Sequence, residues 1–377
     1  MALDVPLGRL PSASSSGRAF ARFPWHIAFL VLAISATGIW NLASASRSAH
    51  APVWISQMWW MAGGAALALA IAVLDYRTFL RIAYLFYLAV VLLLLAVLVR
   101  GRLVMGARRW LTVGPINFQP SELAKIAVLL ALARYFHYDL EKRRDGYGLL
   151  SLAVPMAITL VPAVLILKEP DLGTALIVVA VGATMILFAK VKWRTLALVG
   201  CVGLAGSAFA WPHLKPYQRK RVETFLNPEG DSLGAGYHAT QSMIAVGSGQ
   251  ALGKGWGQGT QTLLSFLPEQ HTDFIFSVWA EEHGFVGCAA LILLYFLLVA
   301  AALTVAGNAR ERFGHFVAVG VTAMLFWHAF INMGMVTGVL PVVGVTLPLM
   351  SYGGSSVIAV YFGIGLLANV GMRRFVN

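Results

Sequence analysis

The chain has 377 residues, 59% of them hydrophobic and only 12% charged, with a net charge of +12. Soluble domains carry about 25% charged residues, and a water-soluble fold of this length could not hide so much apolar side chain. The composition therefore excludes a soluble protein and puts a bilayer in the place of a hidden core. Cys201 and Cys288 both fall in apolar runs, without a disulfide framework or metal-ligand spacing, and read as small buried residues.

Residues 1–23 form a polar cytoplasmic tail with Ser12, Ser14, Ser15, Ser16, Arg9, Arg18 and Arg22. The small residues Ala43-Ser44-Ala45 imitate a signal-peptidase site after the first apolar run, but that run has full spanning length and many others follow, so cleavage is not expected. Apolar runs of spanning length lie at about 24–43, 54–74, 78–99, 121–137, 149–167, 172–189, 195–211, 284–306, 315–336 and 352–371. The expected fold is an all-α polytopic membrane protein. A single domain over 24–377 has about ten transmembrane helices, and a large outer loop at about 212–283 separates helices 7 and 8. With the N-terminus inside, the inner segments carry Arg77 and Arg81, then Lys142-Arg143-Arg144, then Lys190, Lys192 and Arg194, then Arg310 and Arg312, and finally Arg373 and Arg374. That is the distribution the positive-inside rule asks for, and it places both termini in the cytoplasm.

Two outer segments break the rule. Residues 100–120 hold Arg100, Arg102, Arg108 and Arg109, and residues 211–283 hold Lys215, Arg219, Lys220, Arg221 and Lys254. Long loops translocate regardless of charge, which accounts for the second segment without any function; the first is too short for that account. Both read as facing an anionic ligand. The net charge does not point to nucleic acid, because half of it is topological. The long loop is rich in glycine, carries the turn signal Asn227-Pro228-Glu229-Gly230-Asp231, and offers a short amphipathic helix over 237–246 lying at the interface. A structureless loop of such length is unusual unless functional.

Six constellations could carry chemistry. In Gln119-Pro120-Ser121-Glu122-Leu123-Ala124-Lys125, Pro120 suits a first helical turn and puts Glu122 and Lys125 on one face. The pair is either a self-satisfied ion pair or, since charge at membrane depth is costly, functional. Gly106-Ala107-Arg108-Arg109-Trp110 offers guanidinium forks for phosphate or for lipid headgroups. Lys168-Glu169-Pro170-Asp171 places two carboxylates in a short outer turn, where Asp171 either caps the next helix or joins Glu169 in holding a divalent cation. In Pro268-Glu269-Gln270-His271-Thr272-Asp273-Phe274, Asp273 is either a helix cap or a desolvated general base, with His271 beside it. Gly253-Lys254-Gly255-Trp256-Gly257 has the wrong spacing for a Walker loop and reads as a flexible loop. Ser351-Tyr352-Gly353-Gly354-Ser355 precedes the last helix, and its glycines allow close packing.

Taken together and in this order, these patches resemble the SEDS family (shape, elongation, division and sporulation proteins) from about Arg77 to Arg374, most specifically in the stretch Phe266 to Phe276 and in Ser351-Tyr352-Gly353-Gly354-Ser355. Phe225-Leu226-Asn227-Pro228-Glu229, Leu233-Gly234-Ala235-Gly236-Tyr237-His238 and Gly253-Lys254-Gly255-Trp256 are closer to the elongation branch than to the division branch. Asn227 and Gln270 depart from the family's commoner residues, and neither touches the chemistry. The resemblance implies a peptidoglycan glycosyltransferase of the bacterial inner membrane that polymerises lipid II at the outer face. It puts the catalytic role on Asp273 and the family's substrate-side charges on Arg109, Glu122 and Lys125. Arg219, Arg221, Lys254, His271 and Ser351 complete the expected substrate-binding set. The implied partners are a class B penicillin-binding protein and other membrane proteins of the elongation complex. The one cofactor candidate is a divalent cation, Mg or Mn, with Glu169 and Asp171 as its candidate ligands. Two rivals remain: a lipid II flippase, which needs polar residues deep in several helices, and a non-catalytic membrane scaffold.

Overall fold

The structure, a computed structural model, describes residues 23–47, 52–104, 107–113, 116–139, 146–210, 212, 216–227, 235–264, 266 and 269–373. The chain begins with α1 (Trp25–Ala45), α2 (Val53–Val73) and α3 (Tyr76–Arg100). Next come β1 (Arg102–Val104), β2 (Ala107–Val113) and β3 (Ile116–Phe118), followed by α4 (Pro120–Asp139), α5 (Ala153–Lys168), α6 (Leu172–Phe188) and α7 (Trp193–Ala210). α8 (Pro216–Leu226), α9 (Ala235–Ser248) and α10 (Thr260–Leu263) precede α11 (Ile275–Gly307), α12 (Arg312–Val336) and α13 (Gly354–Arg373). Seven helical segments among the described residues are long and apolar enough to cross a membrane. The protein is a multi-pass membrane protein.

Local chemistry sets several boundaries. The Asp75 carboxylate caps α3 by accepting from the Arg77 N–H at 3.0 Å, and Asp171 caps α6 by accepting from the Thr174 N–H at 3.1 Å. Pro120 opens α4, where its missing N–H costs nothing. α4 is apolar nearly all round and is buried nearly all round, packed by α3, α6 and α12. α2 and α13 pack through small residues. A β-carbon on Gly365 would come 2.8 Å from the Ala68 backbone, and one on Gly64 would strike the Tyr361 ring at 2.6 Å.

α11 is two helices in one. At Gly284 the backbone takes φ 62°, ψ −161°, so a short half-helix over 275–283 meets a long spanning helix. The loop after α9 closes the break. The N–H groups of Lys254 and Gly255 donate to the carbonyls of Glu281 and Glu282, and those of Phe285 and Val286 donate to Gln250 and Ala251. Backbone groups freed by the kink are thereby satisfied, as burial requires.

Four expectations change. The segment after α3 is a three-stranded antiparallel sheet in the order β1-β2-β3, so the all-α class becomes a mainly helical one; Arg102 pairs with Trp110 across it. The glycine-rich stretch at 253–259 is packed against α11: a β-carbon on Gly253 would come 2.1 Å from the Glu282 carbonyl, and one on Gly259 would come 2.7 Å from Glu281 Oε2. α9 does not lie alone at an interface: it packs on α11 and α12, with the Ser242 hydroxyl 2.9 Å from that of Ser277 and donating to the Val336 carbonyl. Cys201 is exposed and Cys288 half-buried, because the faces carrying them look outward rather than into the bundle.

Candidate functional site

The non-helical segment between α12 and α13 organises the site. α12, α2 and the turn before α11 all bond to it. From α12, Asn332 Nδ2 donates to the carbonyls of Asp273 (2.8 Å) and Val345 (2.6 Å). One turn earlier, His328 reaches the Thr346 carbonyl through Nδ1 at 3.1 Å and Lys125 Nζ through Nε2 at 2.9 Å. An ammonium can only donate, so Nε2 accepts and Nδ1–H donates to Thr346. From the segment's own end, the Ser351 hydroxyl donates to the Thr272 carbonyl at 2.6 Å, and the Tyr352 N–H donates to the His271 carbonyl at 2.8 Å. From α2, Gln57 Nε2 donates to the Ser351 carbonyl at 2.8 Å.

These bonds fix the turn that carries Asp273. Its side chain is half-buried at the mouth of the half-helix, where a β-carbon on Gly344 would come within 3.2 Å of Oδ2. The N-cap position of the half-helix is Phe274, and Asp273 stands one residue before it. His271 is half-buried, and its Nδ1 has no hydrogen-bond partner among the described residues. Burial lowers its pKa, against a smaller opposing pull from Glu269.

Beneath the turn, Lys125 Nζ sits 2.8 Å from Glu122 Oε2, with 1% of the lysine side chain exposed. The expected ion pair forms, but Lys125 has no surface with which to touch a ligand. Arg109 is half-buried, donating from Nε to the Glu169 carbonyl at 3.2 Å and from a terminal nitrogen to the Pro170 carbonyl. Gln119 joins this group, donating to Asp171 Oδ2 at 3.1 Å, and its own N–H reaches Ser355 Oγ at 3.3 Å.

Glu169 is fully buried, and neither of its carboxylate oxygens finds a hydrogen-bond partner among the described residues. Burial raises its pKa to about 8, Asp171 adds to the rise, and Arg109 opposes it. Asp171 is committed to its capping bonds and to Gln119. No third His, Cys, Asp or Glu joins the pair among the described residues to complete a divalent-cation site.

Three of the expected ligand contacts are engaged elsewhere. Ser351 is buried, and its hydroxyl is used within the chain, since the Leu347 N–H also donates to it at 2.7 Å. Lys254 pairs with Glu281 Oε1 at 2.6 Å and with the Thr260 hydroxyl at 2.9 Å, a lock on the loop between α9 and α11 rather than a ligand contact. Arg219 is exposed on α8 and pairs with Glu223 at 3.8 Å, one helical turn on. The Arg221 side chain lies outside the described residues.

Sequence reading missed His328, Asn332, Glu281 and Glu282. All four are buried polar groups. His328 and Asn332 stand four apart inside an apolar run, and intramembrane polar residues at helical spacing are the signal that identifies such pairs.

The family model of FtsW, RodA and SpoVE, described as cell cycle protein, matches residues 20–375. The chain is 42% identical over 315 residues to the peptidoglycan glycosyltransferase MrdB of Escherichia coli (strain K12), covering 83% of this chain and 84% of that one. Relatives named FtsW match as well. Among solved structures, a chain from a peptidoglycan synthase complex that coordinates polymerization and crosslinking superposes with a TM-score of 0.81 at 38% identity, covering 94% of this chain and 99% of that one. The rod shape determining protein RodA of Thermus thermophilus superposes with a TM-score of 0.71 at 34% identity, covering 94% and 98%.

Proposed function

The chain belongs to the family of FtsW, RodA and SpoVE, and we propose on that footing that it is a peptidoglycan glycosyltransferase of the elongation branch, polymerising lipid II for rod-shape maintenance. The observation that carries the reading is the turn bearing Asp273. A half-buried carboxylate stands at the mouth of a half-helix, on a turn whose backbone carbonyls are held by Asn332 of α12 and by Ser351 and Tyr352 before α13. A general base needs that fixed placement.

The reaction is an inverting transfer. Asp273 takes the proton from the 4-hydroxyl of the acceptor GlcNAc. The freed oxygen bonds to the anomeric carbon of the donor MurNAc, and the bond from that carbon to the undecaprenyl pyrophosphate breaks. The lipid pyrophosphate leaves as an anion, so it needs positive charge more than a general acid. Arg109, on the rim, is the cation placed to touch it. Lys125 is buried with Glu122 and His328 and acts on the site through its field and through α12, not by contact.

Counting α4, α6 and α7 with the seven long apolar segments gives ten spans over a single unit at 24–377. The N-terminus is inside, the large loop lies between helices 7 and 8, and the site is on the outer face of the bacterial inner membrane. The pairing of segments supports this. Arg109 with Glu169, Gln119 with Ser355 and Tyr352 with His271 join only segments assigned outside. Arg77 with Glu311 and Arg373 with Val73 join only segments assigned inside. The likeness to a chain of a synthase complex supports a class B penicillin-binding protein as partner, alongside other elongation-complex membrane proteins.

The test is polymerisation of labelled lipid II by the purified chain, with and without its cognate transpeptidase, beside Asp273→Asn. Long glycan from the native chain and none from Asp273→Asn is the expected result. Equal product from both moves the base elsewhere. No product from either, with lipid II bound and the partner present, favours the flippase or the scaffold.

A further inference from the structure

The segment at 343–346 is a rigid floor. Its Val345 and Thr346 carbonyls are taken by Asn332 and His328, and the Thr346 hydroxyl lies 2.8 Å from that of Ser356. From behind, α6 presses on it so closely that a β-carbon on Gly173 would come 2.7 Å from the carbonyl oxygens of both Val343 and Gly344. Val343 and Val345 are buried, while Gly344 between them is exposed, with φ +75°.

Several positive-φ glycines among the described residues are explained by crowding. A β-carbon would come 2.1 Å from the Glu282 carbonyl at Gly253, 2.3 Å from the Gly253 nitrogen at Gly284, and 2.4 Å from the Met243 sulfur at Gly338. Gly344 differs. A β-carbon there would meet Asp273 Oδ2 at 3.2 Å and, among the described residues, no other heavy atom within 4 Å. Its missing side chain leaves an open volume with the Asp273 carboxylate as one wall. Glycine serves where a ligand must approach backbone closely.

We propose that Gly344 is the floor of the acceptor subsite, the surface on which the sugar ring seats its hydroxyl against Asp273. This rests on Asp273 being the base. A side chain as large as asparagine at this position fills the space the ring needs, so Gly344 is a specificity-determining residue for the acceptor.

The test compares Gly344→Asn with Gly255→Asn in the full chain. Asparagine enters positive φ more readily than other non-glycine residues, and the backbone strain of the substitution is common to both variants. Gly255, at φ +101°, has only the Gln258 side chain near its would-be β-carbon, at 3.6 Å, and controls for the conformational change. Thermal unfolding reports folding, and lipid II polymerisation reports the subsite. The expected result is unfolding midpoints close to each other and polymerisation by Gly344→Asn about a hundredfold below that of Gly255→Asn, the scale of a misplaced reacting group. Polymerisation by the two within about twofold of each other overturns the proposal.

A second measurement does not depend on turnover. In a Cys201→Ser, Cys288→Ala background, the thiol introduced by Gly344→Cys is labelled with a small charged methanethiosulfonate. Lipid II is expected to slow the labelling, and equal rates with and without lipid II overturn the proposal. Full activity of Asp273→Asn together with lipid II protection of that thiol locates the failure in the assignment of the base, not in the subsite.

Discussion

Lys125 and Glu122 show how a buried charge is kept. Each satisfies the other at 2.8 Å, and His328 takes another of the ammonium's donors. Removing one partner strands the other charge, at a cost of about 3–5 kcal/mol, whereas removing both can be nearly neutral. Lys125→Met is therefore expected to lower the thermal midpoint sharply, and Lys125→Met with Glu122→Gln is expected to recover much of the loss. Additive losses in this cycle would show that the two groups do not interact. Glu169 poses the opposite problem, a buried carboxyl whose oxygens have no hydrogen-bond partner among the described residues. With its pKa raised from 4.5 to about 8, the folded chain holds a proton between those values that the unfolded chain has released. Stability therefore falls as pH rises through that window and levels off above it. Glu169→Gln has no such proton to lose, so its gain in thermal midpoint over the native chain is expected to be larger at about pH 9 than at about pH 5. A gain that does not vary with pH would show that the carboxyl ionises at its ordinary pH.

At the scale of elements, the break in α11 is the feature on which the site depends. It ends the half-helix that follows Asp273, and its close approach to 249–253 fixes how the outer loop lies. A β-carbon on Gly284 would come 2.3 Å from the Gly253 nitrogen and 2.7 Å from the Gly249 carbonyl, and its φ of 62° with ψ −161° suits glycine. Gly284→Ala is expected to separate the loop from the half-helix and to lose polymerisation and thermal stability together. Native-like stability in that variant would mean that the loop can move aside. The apolar run starting at 284 was legible as a span, but the half-helix before it was not, because Ile275 to Glu282 mixes apolar and acidic residues without a lipid-facing pattern. The β-sheet at 102–118 was illegible for a related reason. Its strands are as short as three residues, and their pairing satisfies the backbone through tertiary contact rather than through a periodic pattern.

Across the whole molecule, orientation is testable by access. Gly148 sits in a segment assigned inside, with open space at its would-be β-carbon, and Gln258 is exposed in the outer loop. In a cysteine-free background, Gln258→Cys is expected to react with an impermeant thiol reagent in intact spheroplasts, and Gly148→Cys only after permeabilisation. The reverse pattern would invert the topology and remove the site from the outer face. The sequence by itself determined the membrane class, the family, and the motifs around Glu122, Asp273 and Ser351. Apolar run length and the cost of buried charge act locally, so they are written in consecutive residues. Tertiary structure decided which charges are spoken for. Lys254 turned to Glu281, Lys125 to His328 and Ser351 to Thr272, while Gly344 opened toward Asp273. Those choices depend on which distant segments meet, and each such meeting is a compromise among packing, hydrogen bonding and desolvation that no stretch of sequence contains alone.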